Sequence, residues 1–283
     1  MRTALDEDLG PEPGRDVTTQ ATVPAAARGT AHLVARGTGV VAGLDVVAEV
    51  LGQTAARLGL EVPRVEPRAD DGDRVSPGDV LAVLDGPVQV LLVAERTMLN
   101  FVCRASGVAS HTRRFADVLE GTGAQVLDTR KTTPGLRELE KFAVRAGGGT
   151  NKRMGLFDVA MIKDNHVVAT GSVTGAIEAV RSRFGDVAIQ VEADTLAQAL
   201  EAVRAGADFL LLDNMAPAEL AVVVAAVREL EPSVGRVELE ATGNVTLERA
   251  LEIAQAGVDY LSVGGLTHSS PILDLALDLV ARS

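Results

Sequence analysis

The side chains best able to do chemistry stand at the ends of short apolar runs. "AQVLDTRK" delivers Asp128, Arg130 and Lys131, and "DVAMIKDN" delivers Lys163 and Asp164. "VAIQVEA" ends in Glu192, "ADFLLLDN" in Asp213 and Asn214, "RVELEAT" in Glu240 and Thr242, and "VDYLSVGG" in Gly264. Lys152 and Arg153 close the glycine-rich "RAGGGTNKR". Arg96 and Arg104 lie on an earlier helical stretch. Burying one cation without a partner costs on the order of several kcal/mol, so this many cations imply a polyanionic ligand. Glu192 and Asp213 among them fit Mg²⁺, which takes one or two carboxylates plus substrate phosphates. Mutual pairing, Lys163 with Asp213 for instance, is the alternative. "EATGNV" and "SVGGLTHS" end the last two runs, where backbone donors can hold a phosphate.

These residues need a scaffold that brings separate run ends together. The later runs alternate with helical stretches such as "LAQALEAVRAGA", "PAELAVVVAAVREL" and "TLERALEIAQAGV". Strand–helix alternation argues for a parallel sheet, and about seven units, "FAVRAG" counted among them, suggest a barrel. Strand C-termini then face one mouth. Residues 1–107 read differently. They hold strand-like "AHLVARGTGVVAG" and "DVLAVLDG", a helical "LDVVAEVLGQTAARLGL", the turn-rich "ADDGDRVSPGD", and a helix from Val90 to about Ser106. The fold class is α/β. Because adjacent side chains of a strand point opposite ways, Arg130 and Lys131 can both face the mouth only if the strand has ended before them.

Composition removes several classes. A net charge of −12 argues against a general nucleic-acid surface. The lone Cys103 excludes an internal disulfide and a cysteine zinc site, and suits a reducing, cytoplasmic setting. No apolar run is long enough to predict a membrane span, and Met1–Gly10 is too acidic for a signal peptide. All four lysines, Lys131, Lys141, Lys152 and Lys163, fall in one region of an otherwise arginine-using chain. A compact ammonium is one reason for such a choice, and codon bias another.

The blocks "LDTRKTTPGLRELEKFAVRAGGGTNKRMGLFDVAMIKDNH", "ERTMLNFVCRASGVAS", "VEADTLAQALEAVRAGADFLLLDNM" and "LEATGNVTLERALEIAQAGVDYLSVGGLTHSSPILDLALDL" resemble the quinolinate phosphoribosyltransferases. The resemblance spans nearly the whole chain. It implies transfer of phosphoribosyl from phosphoribosyl pyrophosphate (PRPP) to quinolinate, with loss of CO₂ and pyrophosphate, in de novo NAD biosynthesis. It implies an N-terminal α/β sandwich (residues 1–107), an incomplete barrel (108–269), and a last helix (270–283) returning to the first domain. A homodimer with shared sites, or a higher oligomer, is also implied.

Carried onto this sequence, the resemblance makes Lys131, Lys163, Glu192 and Asp213 catalytic. Arg96 from the partner, Arg130, Lys152, Arg153 and Lys163 would hold quinolinate. Lys131, Thr242, Gly243, Asn244, Gly264, Gly265 and His268 would hold PRPP. Mg²⁺ would sit on Glu192 and Asp213, directly or through water. Two departures stand out: Lys152 occupies a position where the family commonly has His, and "TGN" replaces the usual "SGG". Lys keeps the charge but does not titrate near neutral pH. A divergent molybdenum-locus homologue of the same fold, a non-catalytic phosphometabolite-binding barrel, and a Schiff-base aldolase using Lys163 are the competing readings.

Overall fold

The computed structural model describes residues 1–280. In chain order the elements are α1 (Arg2–Leu9), α2 (Thr19–Thr22), β1 (Arg28–Ala35), β2 (Gly39–Val40), α3 (Asp45–Leu58), β3 (Arg64–Pro67), β4 (Arg74–Val75), β5 (Val80–Pro87) and α4 (Val88–Leu119). There follow β6 (Gln125–Leu127), α5 (Arg137–Ala146), β7 (Val159–Ile162), α6 (Asp164–Thr170), α7 (Val173–Arg183), β8 (Ala188–Ala193) and α8 (Leu196–Arg204). The last are β9 (Phe209–Asp213), α9 (Pro217–Val234), β10 (Glu238–Thr242), α10 (Leu247–Gln255), β11 (Tyr260–Ser262), α11 (Gly265–His268) and β12 (Leu275–Leu279). Two compact units emerge: Met1–His111 with Glu138–Gly148 and the residues from Ser269 on, and Thr112–Arg137 with Gly149–His268.

The first unit carries an antiparallel sheet, ordered β12-β1-β5-β3. Helix α3 buries Val46, Val47, Val50, Leu51 and Ala55, one stripe at helical spacing. These join Leu33, Leu81, Leu84, Leu91 and Met98 in one apolar core. The expected C-terminal helix is replaced by a strand. Leu273, Leu275, Leu277 and Leu279 alternate with other residues at period two, which suits a strand and not a helix. β12 pairs with β1 through Leu275↔Ala35, Leu277↔Leu33 and Leu279↔Ala31. Residues 281–283 of the expected helix lie outside the described residues.

In the second unit six parallel strands follow the order β6-β11-β10-β9-β8-β7. β6 and β7 form the two ends, so the barrel is incomplete. The expected strand "FAVRAG" lies instead in α5 of the first unit. Read from Arg137, that segment is a helix: Glu138 and Glu140 stand in its first turn and Arg145 in its last, complementing the helix dipole. On the outer edge of β6 a single parallel bridge, Leu127↔Thr150, stands in for a further strand. Gln190 and Glu240 sit two strands apart on β8 and β10 and still meet at 2.8 Å. Strands lie about 4.8 Å apart, so a contact reaching across the intervening strand fits a sheet curled inward at this face. Among the described residues no helix is long and apolar enough to cross a membrane.

Candidate active site

β6 ends at Leu127, and the chain turns at once. The Lys131 N–H donates to Thr129 Oγ1 (3.1 Å), and Thr132 N–H to the Arg130 carbonyl (2.9 Å). Thr133–Leu136 then closes a turn through Leu136 N–H to Thr133 O (3.0 Å). Pro134 and Gly135 (φ 78) fill the two central positions, as a type II turn requires. Arg137 braces the loop from within, donating to Thr132 Oγ1 (3.0 Å) and the Met154 carbonyl (2.9 Å). Thr267 donates to the Lys131 carbonyl at 2.9 Å. The two adjacent cations are therefore loop residues freed from strand alternation.

Arg130, Arg153, Lys163 and His166 line a cavity of about 780 Å³ together with apolar side chains that include Met161 and Val180. Arg153 is fixed by bonds to the Val159 carbonyl (3.2 Å) and Met161 Sδ (3.5 Å). Burial, then the nearby charge of Arg130, push its guanidinium below the usual arginine range, with only Asp158 opposing. The Asp158 carboxylate is itself engaged by the amides of Met154 (2.6 Å) and Gly155 (3.2 Å). Arg130 Nε is buried with no partner. A buried donor left unmade costs about 1–3 kcal/mol, more when charged. Two guanidinium groups side by side, one with a buried donor no protein group satisfies, favour an anionic ligand at this corner.

Beside it, Lys163 donates to both oxygens of Glu192 (2.9 and 3.0 Å). Its partner is thus Glu192 and not the Asp213 considered from sequence. The Lys163 N–H is held by His166 Nδ1 at 2.9 Å, which fixes where α6 starts. Asp213 accepts from the Asn214 amide at 3.0 Å. Burial, then Asp164, Glu192 and Asp213, push the Asp194 carboxyl above the usual range; the sequence reading did not single out Asp194. Among the described residues no three or more His, Cys, Asp or Glu side chains converge as a metal cage. Glu192 and Asp213 nonetheless fit an ion that a substrate's own oxygens complete, since Mg²⁺ needs only one or two carboxylates.

A second corner forms at the ends of β9, β10 and β11. Asn214 (φ 54) and Asn244 (φ 48) both adopt left-handed backbone, which Asn tolerates better than most residues. Their amides face each other at 3.4 Å. Between them Gly243 (φ 88) has no room for a side chain: a Cβ would lie 2.1 Å from Asn214 Oδ1. At Gly264 a Cβ would meet Lys131 Cδ at 3.3 Å, His268 Nε2 at 3.6 Å and Lys131 Nζ at 3.7 Å. Lys131 and His268 therefore flank the Gly264 backbone, giving cation, imidazole and close-approach glycine in one place. Gly265 follows as the first residue of α11.

Lys152 goes elsewhere. Its ammonium pairs with Glu240 and lies 5.2 Å from the centre of the Phe209 ring. Glu240 also accepts from Gln190 (2.8 Å) and from Ser262. The expectation that Lys152 binds quinolinate meets an ammonium already engaged inside the barrel. Asp128, fully buried, clamps the same segment, accepting from Asn151 Nδ2 (2.6 Å) and Lys152 N–H (3.0 Å). Asn151, Gln190 and Ser262 carried no sequence signal beyond their polarity. Arg96 stands exposed on α4 in the first unit. Arg104, in the same unit, is bound to buried Glu140 (2.9 Å) and the Ser270 carbonyl (2.9 Å), an architectural role.

Comparison with known proteins finds similarity over nearly the whole chain. Residues 108–278 match the family described as "Quinolinate phosphoribosyl transferase, C-terminal domain", and residues 16–106 its N-terminal counterpart. The chain is similar to the Mycobacterium leprae "Nicotinate-nucleotide pyrophosphorylase [carboxylating]", 46% identical over 99% of this chain and 95% of that protein. It is 38% identical to the "Quinolinate phosphoribosyltransferase [decarboxylating] 1" of Nicotiana glauca, over 99% of this chain and 81% of the other. Its fold is similar to that of NadC from Streptococcus pyogenes, with a TM-score of 0.89, 36% identity, and 99% and 95% of the two chains covered.

Proposed function

Since the chain belongs to the quinolinate phosphoribosyltransferase family, we propose that its barrel mouth transfers phosphoribosyl from PRPP to quinolinate with decarboxylation, a step of NAD biosynthesis. The observation that carries this reading is the cationic corner: Arg130, with a buried Nε that no protein group accepts from, beside Arg153, whose guanidinium is pushed below the usual arginine range by burial and then by that neighbouring charge. Quinolinate brings two carboxylates on a planar ring. Guanidinium forks match carboxylates in plane and in spacing. The apolar lining of the cavity suits the ring itself.

Lys131, His268 and the Gly264–Gly265 backbone take phosphate oxygens of PRPP, as do Thr242, Gly243 and Asn244. The C1′–pyrophosphate bond breaks with oxocarbenium character, and the pyridine nitrogen bonds to C1′. Lys131 and Lys163 stabilise the departing charge, and Glu192 and Asp213 face the positive charge developing on the ribose. The new pyridinium withdraws the electron pair left when the adjacent carboxylate departs as CO₂. Lys163, released from Glu192, is the candidate to protonate that carbon. Mg²⁺, held by Glu192 and Asp213 with the substrate's phosphates, would neutralise pyrophosphate charge when bound.

Leu156, Phe157 and Phe184 line the same cavity and are strongly exposed. An uncovered apolar rim beside a charged site supports coverage by a second copy. In that arrangement the partner supplies Arg96 and the enzyme works as a homodimer. The buried thiol of Cys103, the lone cysteine, is compatible with a cytoplasmic location.

Incubation with PRPP and Mg²⁺ should yield nicotinate mononucleotide from quinolinate and none from nicotinate, by mass spectrometry. No product from quinolinate would overturn the reading. Mixing Arg96→Ala with Lys131→Ala should restore activity through hybrid dimers. No recovery despite proven subunit exchange would rule out shared sites.

A further inference from the structure

We infer that Lys152 is a positioning residue: its ion pair with Glu240 sets the Arg153 guanidinium, and it does not touch the substrate. The inference rests on the transferase reading above. Segment 149–153 runs past the outer edge of β6, yet only Thr150 joins the sheet, through its N–H to the Val126 carbonyl (2.8 Å) and its carbonyl to Asp128 N–H (3.3 Å). With so little ladder, side chains must hold residues 151–153. Asp128 fixes Asn151 and the Lys152 backbone with its two oxygens. Lys152 then reaches inward to Glu240, itself held by Gln190 of β8 and Ser262 of β11.

Lys152 is anchored inward on Glu240, and the next residue, Arg153, is held on the Val159 carbonyl and Met161 Sδ of β7; releasing the first anchor frees the short segment that carries the second. The bonds to β7 place Arg153 on the cavity with Arg130. Lys152 is 11% exposed and Glu240 1%. The pair is a tie across the barrel interior, and a ligand in the mouth meets Arg153, not Lys152.

Steady-state kinetics of Lys152→Met, Arg153→Ala and the double variant test this, with quinolinate and PRPP varied separately. Lys152→Met should raise the KM for quinolinate about tenfold, the loss expected when one charge-assisted bond is misaligned, with kcat and the KM for PRPP little changed. In the Arg153→Ala background it should add almost nothing, because the residue through which it acts is gone. Lys152→Arg, which keeps the charge, should recover part of the loss. Should Lys152→Met fold poorly, the pair Lys152→Met/Glu240→Gln removes the stranded carboxylate and carries the same KM prediction. Fully multiplicative effects of Lys152→Met and Arg153→Ala, or a fall in kcat at unchanged KM, would overturn the inference. Wild-type protein inactive on quinolinate would instead sink the transferase reading on which it stands.

Discussion

Two lysine–glutamate pairs occupy this barrel and are opposite in character. Lys163–Glu192 lies at the strand ends, its side chains 47% and 15% exposed. Lys152–Glu240 lies inside, at 11% and 1%. An exposed pair contributes little to stability and opens readily. A buried pair is hard to open, since losing one partner strands a charge in a poor solvent. The same two residue types thus form a solvent-accessible pair, proposed above for the chemistry, in one place and a buried framework pair in the other. What separates them is solvation and the number of other donors on the carboxylate.

The contrast is tested most strongly by breaking the inner pair. Lys152→Met should cost about 3–5 kcal/mol of stability, read by urea denaturation. The double variant with Glu240→Gln should regain much of it. At the outer pair the balance reverses. Lys163→Ala should lower kcat about 10²–10³-fold, as for loss of one donor to developing charge, while changing stability by under about 1 kcal/mol. If both lysines behave alike in denaturation, the contrast fails.

Next comes the corner proposed to hold phosphate. Gly243→Ala puts a methyl where Asn214 Oδ1 already sits and strains a positive φ. The KM for PRPP should rise tenfold or more, up to about 10²-fold for a displacement near 1 Å, more than the KM for quinolinate. The smallest effect concerns pH. The Asp194 carboxyl is pushed up by burial, then by Asp164, Glu192 and Asp213. The folded chain binds that proton more tightly than the unfolded chain does. Stability is therefore lost as pH rises from the unfolded carboxyl value through the raised one. Asp194→Asn removes this loss, so its thermal midpoint should exceed wild type at pH 7 and converge with it in acid.

Much of this contrast was legible in sequence, in uneven measure. Apolar runs ending in Lys163, Glu192 and Asp213 identified strand ends because a buried parallel strand leaves few other places for charge. "TTPG" announced its turn through the backbone limits of Pro and Gly. In α5, "FAVRAG" alone fits either period, and only the preceding "RELEK" reveals the helix. The last strand was hidden by the resemblance, although its leucines alternate at period two. The Lys152–Glu240 pair is not legible in the sequence, which shows charge type and neighbours but not which way a loop side chain turns. The two residues are 88 positions apart, and nothing local pairs them.

A crystal structure of the protein with bound quinolinate tests the central claim most directly. The account predicts one carboxylate on Arg130, the other on Arg153, the ring against the apolar lining, and Lys152 still on Glu240. Quinolinate bound away from both arginines, or a Lys152 ammonium drawn off Glu240 onto the ligand, would contradict it.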